Sequence, residues 1–425
     1  MTYALIDANA MYASCEQIFR PDWRNKPIAV LSNNDGTVVA CNRLAKEAGT
    51  KKFKPLFEQP VLQSDGTKGS KGVIFLSSNY ELYADISGRF HETVGRFAPE
   101  QYVYSIDESF LNFKSCRKAI PDLRDHCLTM RRTVWRECRL PVSVGVGETL
   151  TLAKVGSHFA KQTADWSGVC VIETDKQRRE LLSKLPVNEV WNIGRKLTTH
   201  LKHMGITTAL QLADTDPDKM RKSFSVEMER TIRELNGQVA RSWDHNEVSK
   251  QQIFSTRSMG ERITDVDSLQ QAIAKHACIA SQKAREQRSI AGVMIVFAST
   301  SAYDKGEQYY QKSLIKFEHP TADADKVTAA ATQAARQIYK RGIRFYKVGV
   351  GLIDLVSSKY EQQDLFNVKP NNHALMTVLD GINSRYGRDT LFLGAQGIEQ
   401  KWAMKRNRLT PQYTTRWADL PRLSC

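Results

Sequence analysis

Asp107 and Glu108 are the only directly adjacent acidic pair in this 425-residue sequence, and they stand in an otherwise apolar and aromatic run, VYSIDESFLNF (103–113). Two like charges in such a setting repel each other and lose hydration, which is costly unless a cation sits between them. A third acid, Asp7, ends the first apolar run of the chain, in TYALIDANAMYASCE (2–16), and small residues and then Tyr12 follow it. Mg²⁺ takes carboxylate and phosphate oxygens and needs one or two protein acids per ion. Asp7 brought beside Asp107 and Glu108 across a sheet would make a site for two ions ~3.5–4 Å apart, an arrangement suited to displacement at phosphorus. The residue types alone leave a second arrangement equally open. In it, 107 and 108 are a solvated hairpin tip, and Asp7 is a helix-entry carboxylate near positive peptide dipoles. Adjacent residues on a strand face opposite sides, so a shared site requires the pair to sit at a bend or strand end.

Other stretches have the character of phosphate contacts. Lys154 and Lys161 are seven apart in TLTLAKVGSHFAKQTA, so on a helix they share a face and could meet a triphosphate, or simply form a solvated stripe. IGRKL (193–197) matches the hairpin of a helix-hairpin-helix: Gly194 lets backbone amides approach a phosphate, and Arg195 and Lys196 add charge. A plain helical turn with a glycine cap reads the same way. QQDLF (362–366) stands alone in a polar region and has the form of a peptide that docks in another protein's groove, or of a small turn on its own domain.

These groups must be held by several domains, since the chain is too long for one core. Net charge is +15, which favours a polyanionic partner, nucleic acid before membrane. No apolar run approaches the roughly 20 residues that span a bilayer, and no cleavable signal pattern follows Met1, so the expectation is a cytosolic protein. Eight cysteines without any Cys-x-x-Cys read as reduced thiols. Residues 2–6 predict a buried strand, and Asn9 predicts a cap for a helix running to about Phe19. KPIAVLS and TVVACN predict strands around an NNDG turn, and GVIFLSSN another. YELYADISGRFHETVGRFA has helical spacing, and YVYSIDESFLNF predicts two short strands around a tight bend. A helix from about 120 to 138, the strand LPVSVGVG, the helix of the two lysines and the strand GVCVI complete a mostly antiparallel α/β block. After Glu173 the texture is helical. Residues 236–252 read as a linker and 253–355 as a second, smaller α/β module. From Lys401 the end is basic, with six Lys or Arg against one Asp.

With IDANAMYASCE, VLSNNDG, SSNYELYADIS, YSIDESF, VGVGETLTLAK, LPVNEVWNIG, SMGERITD, GAQGI and LTPQYTTRWADL together, essentially the whole chain resembles the Y-family translesion DNA polymerases. Within them it is similar to the UmuC-type catalytic subunits of the bacterial SOS mutagenic polymerase. The resemblance implies an α/β multi-domain right-hand fold: palm 1–20 and 78–172, fingers 21–77, and a helical thumb with helix-hairpin-helix at 173–240. A linker at 241–252, an α/β little finger at 253–355 and a C-terminal tail at 356–425 complete it. It implies two-Mg²⁺ nucleotidyl transfer from dNTPs without proofreading, with Asp7, Asp107 and Glu108 as metal ligands and the Ala8 carbonyl assisting. Tyr12 falls at the steric gate that rejects a 2′-hydroxyl, and Lys161 where a lysine meets the triphosphate. QQDLF falls at the sliding-clamp motif, with Gln362, Leu365 and Phe366 as anchors. Implied partners are primed DNA, a processed UmuD-type dimer, RecA and the clamp, with nucleoid association when active and no membrane.

The chain departs from the pattern in ACNRLAKEAG, where Arg43 and Lys46 replace a Tyr and an Arg that touch the triphosphate in many relatives; Lys46 supplies a point charge rather than a fork. Thr149 and Leu150 likewise stand where relatives often carry lysines. Two other functions fit the residues: a different two-metal nucleotidyl enzyme on a palm, or a non-catalytic DNA-binding scaffold recruited through QQDLF. A membrane-surface protein is disfavoured by the lack of a basic amphipathic helix with aromatic anchors.

Overall fold

A computed structural model describes residues 2–59, 72–162, 166–242, 249–360 and 371–420. The chain forms two compact units, Met1–His245 with Arg408–Cys425, and Asn246–Asn407. Among the described residues no helix is long and apolar enough to cross a membrane.

The first unit is built on a five-stranded sheet in the order β5-β6-β1-β7-β8. β1 (Tyr3–Ala8) is central and buried throughout. It pairs antiparallel with β6 (Glu108–Asn112) on one side and β7 (Val142–Gly147) on the other. β5 (Glu100–Val103) lies antiparallel to β6, and only the β7–β8 pair is parallel, with β8 at Val169–Val171. The adjacent hairpin strands expected over 102–113 are thus present, in a mostly antiparallel sheet. Helices α3 (Tyr80–Gly95) and α4 (Leu123–Cys138) cover one face, burying Leu82, Ile86, Phe90, Met130 and Val134 against Ala4 and Ile6. Helix α5 (Leu150–Gln162) covers the other. The cysteines of the described residues are all free thiols.

The first helix, α1 (Met11–Ile18), begins differently from the expectation. Its cap position is Ala10, in the left-handed region at φ 47°, with no side-chain cap bond. Asn9 is occupied elsewhere: its side-chain oxygen accepts from Ser143 Oγ at 3.0 Å and its N–H donates to the Pro141 carbonyl at 2.8 Å. Tertiary partners on β7 therefore outcompete the local capping bond.

A three-stranded sheet, β3-β2-β4, packs beside α1, with β2 at Ile28–Leu31, β3 at Val38–Cys41 and β4 at Ile74–Ser77. Short helix α2 (Arg43–Glu47) follows β3, capped by Asn42, whose side chain accepts from the Ala45 N–H. Residues 175–235 form five helices, α6 (Asp175–Lys184), α7 (Arg195–His203), α8 (Ala209–Ala213), α9 (Pro217–Ser223) and α10 (Val226–Leu235), around a core of their own.

The second unit is an antiparallel sheet in the order β11-β10-β12-β9. Its strands are β9 (Ile253–Ile263), β10 (Ser289–Ser299), β11 (Tyr310–Thr321) and β12 (Phe345–Ser357). Helices α11 (Val266–Glu286) and α12 (Ala324–Ile338) pack on it through an alanine-rich seam, which lets the two helices approach closely. A further helix, α13 (His373–Tyr386), follows.

From Arg408 the chain rejoins the first unit. The Ser77 N–H donates to the Arg408 carbonyl at 3.0 Å, and the Arg408 N–H returns to Ser77 Oγ at 2.9 Å. The buried amide of Asn79 donates to the Thr410 and Pro411 carbonyls, both at 3.2 Å. Tyr413, buried, stacks on Phe19 with ring centroids 4.7 Å apart. This strap contributes core, so Tyr413→Ala is expected to cost about 3 kcal/mol, the scale of removing a buried aromatic ring. The expected readout is a lower urea midpoint for the transition of the first unit in the full chain, while the transition of the second unit keeps its midpoint.

Candidate active site

The period-two alternation of β1 selects what faces what. Ala4, Ile6 and Ala8 enter the core beneath α3 and α4, whereas Tyr3 and Leu5 lie with Phe110, Leu150 and Ala153 on the α5 side. Asp7 continues that second face at the end of the strand. It is 9% exposed and stands in register opposite Glu108, and directly opposed residues of an antiparallel pair project to the same side. Asp107 is not on the strand. It occupies the bend before β6, where Ser105 Oγ donates to its carboxylate at 2.6 Å and accepts from the Glu108 N–H at 3.1 Å. The Asp107 carbonyl accepts from the Ala8 N–H at 2.8 Å, so the bend is tied to the end of β1. The adjacent pair thus sits where a shared site requires it.

Helix α5 faces these acids with both lysines of its shared stripe. Lys154 Nζ donates to the two oxygens of Glu108 at 2.8 and 3.0 Å, and Lys161 Nζ donates to Asp7 Oδ2 at 2.5 Å. Lys154 is also held between rings, 4.5 Å from the centroid of Tyr104 and 5.1 Å from that of Trp191. Burial pushes the Asp7 carboxyl up to about 6 even though Lys161 pulls the other way. Among the described residues no three His, Cys, Asp or Glu side chains are grouped to hold a metal as they stand; the carboxylate oxygens of Asp7 and Glu108 are turned to the two ammonium groups.

What lets α5 reach so far over the sheet is a seam of glycines that sequence reasoning registered only as a buried strand. A Cβ on Gly145 would lie 1.9 Å from the Ser157 nitrogen and 2.2 Å from the Ala153 carbonyl oxygen. One on Gly156 would lie 3.0 Å from the Gly145 Cα. The helix backbone rests directly on the β7 backbone. The N-terminal end of α5 is fixed from another direction. Buried Glu234, on α10, accepts from the Thr151 N–H at 3.0 Å and from the Thr151 hydroxyl, and Thr149 Oγ1 donates to the Glu234 carbonyl at 2.9 Å. The departures at Thr149 and Leu150 therefore serve packing. Nothing in the sequence pattern marks Glu234 as an anchor of α5, since the threonines it holds there lie more than eighty positions away.

Tyr12 is half-buried on the first turn of α1. Its ring stacks on Tyr83 at 4.5 Å and 17°, with Tyr80 edge-on at 6.0 Å. The Tyr83 hydroxyl donates to Glu16 Oε1 at 2.5 Å. Arg43 and Lys46 are not in contact with the acids: Arg43 is exposed and pairs with Glu47 at 2.8 Å, and Lys46 is exposed on the same short helix. Gly194 forms the N-terminus of α7 with φ −80°, and nothing lies within 4 Å of where its Cβ would sit. Neither strain nor packing requires glycine there; what it leaves is uncovered backbone, beside exposed Arg195 and Lys196. The segment before that turn is not a second full helix but one short turn, Val187–Glu189. Gln362, Leu365 and Phe366 lie outside the described residues.

Residues 6–158 match the model of the impB/mucB/samB family, 250–365 that of its C-terminal domain, and 373–423 a domain of unknown function. The chain is 39% identical to the protein UmuC of Salmonella typhimurium, over 99% of this chain and 100% of that one. It is 41% identical to the protein MucB of Escherichia coli, over 99% of both. DNA polymerase IV of Moorella thermoacetica is 27% identical over 90% of this chain and 93% of its own. Among solved structures, a Y-family DNA polymerase chimera of Dbh and Dpo4 superposes with a TM-score of 0.65 at 18% identity, covering 84% of this chain and all of its own.

Two predictions arise from this geometry. Gly145→Ala forces α5 off β7 and carries both lysines with it; an overpacking cost of about 1–3 kcal/mol is expected in urea unfolding, with loss of the Lys154–Glu108 contact in a crystal structure. Glu16 is 1% exposed, and burial raises its carboxyl from 4.5 to about 7 against the pull of the Tyr83 hydroxyl. A folded-state value above the unfolded one means the fold prefers the protonated form. Its stability contribution is complete below pH 4.5 and is lost as pH rises through about 7, by up to about 3 kcal/mol. Glu16→Gln is expected to flatten the thermal midpoint against pH across that window; an unchanged slope refutes the assignment.

Proposed function

The chain belongs to the impB/mucB/samB family, the UmuC-type branch of the Y-family DNA polymerases, and from that premise we propose that it is a template-directed DNA polymerase for error-prone translesion synthesis in the SOS response, with its reaction centre at the end of β1. The observation that carries the placement is the register pairing of Asp7 with Glu108, with Asp107 in the adjoining bend and two lysines facing them.

The donors there are hard oxygens, the carboxylates of Asp7, Asp107 and Glu108 with the Ala8 carbonyl, and this is the set Mg²⁺ takes. The raised carboxyl of Asp7 marks a charge made costly by burial, which a cation relieves. Two Mg²⁺ held by these groups would supply activation of the primer 3′-hydroxyl and neutralisation of the charge on the dNTP and the leaving pyrophosphate. Asp7 and Glu108 fix the position of the reacting centre against the sheet, and the Ser105 bend keeps Asp107 beside them. Lys161, ion-paired and still partly exposed, offers its ammonium to the triphosphate. Tyr12 meets the sugar of the incoming nucleotide and rejects a 2′-hydroxyl. Arg43 and Lys46 add charge from the segment 21–77, read as fingers.

The remaining assignments follow the same premise: palm 1–20 and 78–172, thumb 173–240, linker 241–252, little finger 253–355 and tail 356–425. Gly194, Arg195 and Lys196 present amides and charge to the DNA backbone, and the net charge of +15 supports a polyanionic partner. A processed UmuD-type dimer, RecA and a sliding clamp taken by Gln362, Leu365 and Phe366 are the partners of this reading, which places the protein in the cytoplasm and on the nucleoid when active. Identity of 39–41% to UmuC and MucB along nearly the whole chain supports them.

Asp107→Ala and Glu108→Ala are each expected to cut primer extension at least about 100-fold, the scale of losing one electrostatic stabiliser of a transition state, while binding to primed DNA persists in a mobility-shift assay. The parent protein is expected to extend across an abasic site when the named partners are supplied. Near-normal extension by either variant would sink the assignment.

A further inference from the structure

Tyr12 is a ring whose usefulness depends on where it stands. To accept a deoxyribose and reject a sugar with one more oxygen, its position has to hold to within a fraction of an ångström, and a side chain gains that precision from the groups that lock it. Its own helix supplies only part of the restraint, since Tyr12 is the second residue of α1 and enters from the left-handed Ala10. The rest comes from α3. Tyr12 and Glu16 lie one turn apart on α1 and share a face, and Tyr80 and Tyr83 lie nearly one turn apart on α3 and share the facing one. Tyr83 spans both turns of α1: its ring lies flat beneath Tyr12 while its hydroxyl donates to Glu16. Tyr80 closes the corner, edge-on to Tyr12 and to Tyr83, whose ring it meets at 6.3 Å and 81°.

Tyr83 is 0% exposed and Glu16 1%. Its backbone N–H is bonded to the Asn79 carbonyl, and the Asn79 side chain is itself held by the Thr410 and Pro411 carbonyls. The plate under Tyr12 is thus fixed at its main chain and at its hydroxyl. We propose that Tyr83, with Tyr80 at its side, is a positioning residue for sugar selection: it touches no substrate and acts by holding the Tyr12 ring at the height where a 2′-hydroxyl collides. This rests on the reading of Tyr12 given above.

The test is primer extension by the full-length protein, with kcat/KM for a dNTP and for the matching rNTP. Tyr83→Leu is expected to lower the preference for the dNTP about three- to tenfold, the scale of one stacked aromatic pair. Tyr83→Phe keeps the ring and is expected to keep the parent preference to within about twofold, since the stacked pair survives. General loss of structure lowers both rates together and leaves the ratio alone. Because Tyr83 acts through Tyr12, Tyr83→Leu adds nothing in a Tyr12→Ala background. A parent-like ratio in Tyr83→Leu, with Tyr12→Ala relaxed, overturns the inference while leaving the gate in place. So does a further relaxation in the double variant. A parent-like ratio in Tyr12→Ala removes the gate itself. Should Tyr83→Leu fail to fold, Tyr80→Leu, which removes the edge contact of a partly exposed ring, carries the same expectation of a lowered ratio, and its failure to relax selection overturns the inference.

Discussion

Like charges confined at the end of one buried strand are the constraint around which the first unit is built. Asp7 and Glu108 are opposed in register, and Asp107 sits in the next bend. Bringing them together is unfavourable unless positive charge arrives from outside the sheet. Lys154 and Lys161 bring it, but a lysine reaches only as far as its helix allows. That helix lies close enough because Gly145 and Gly156 let backbone meet backbone. The glycine seam, the lysine spacing and the acid register are therefore one arrangement seen at three places in the chain, and a change in any one is felt at the other two.

The parts of this arrangement that follow local rules were legible in the sequence. The rarity of an adjacent acidic pair, the seven-residue lysine spacing and the strand-bend-strand pattern around 107 each carry their own signal. The parts that depend on distant residues were not. Asn9 has the side chain of a helix cap, yet Ser143 takes its oxygen and Ala10 stands at the cap in a left-handed conformation. VSVGVG reads as a strand, but its glycines matter only once α5 lies on them. Asn79 is held by residues 331 and 332 positions away, so nothing near it announces that the C-terminal strap returns there. Glu234 and Tyr83 are silent for the same reason.

Ala10 shows how local strain is kept where it is useful. A non-glycine residue at φ 47° is held against its preference by what surrounds it. Here the neighbours are firm: Asn9 is tied to β7, Ala8 to the bend of Asp107, and Ser14 Oγ back to the Asn9 carbonyl at 2.7 Å. The strand can therefore pass into α1 within two residues, which places Asp7 and Tyr12 on either side of one tight corner. A longer, relaxed connection would separate the acid from the ring.

Three of the buried carboxylates in this unit, Asp7, Glu16 and Glu234, are compensated in three ways, and the contrast bears on which of these three can do chemistry. Glu234, fully buried, is answered by the Thr151 N–H and hydroxyl, by the Arg241 N–H, and by the Arg241 guanidinium at 3.6 Å, itself only 10% exposed. Nothing mobile can replace those partners, so the group is structural. Glu16 is answered only by neutral hydroxyls, those of Tyr83 and Thr410, and the fold favours its proton. Asp7 is answered by Lys161, whose side chain keeps 38% of its surface in water. A flexible, half-hydrated ammonium is a counter-charge that can leave without an orphaned buried cation behind it. Of the three, only Asp7 stands where its compensation can be exchanged for another cation at modest cost, and that exchange is what a carboxylate serving a metal-dependent reaction has to permit.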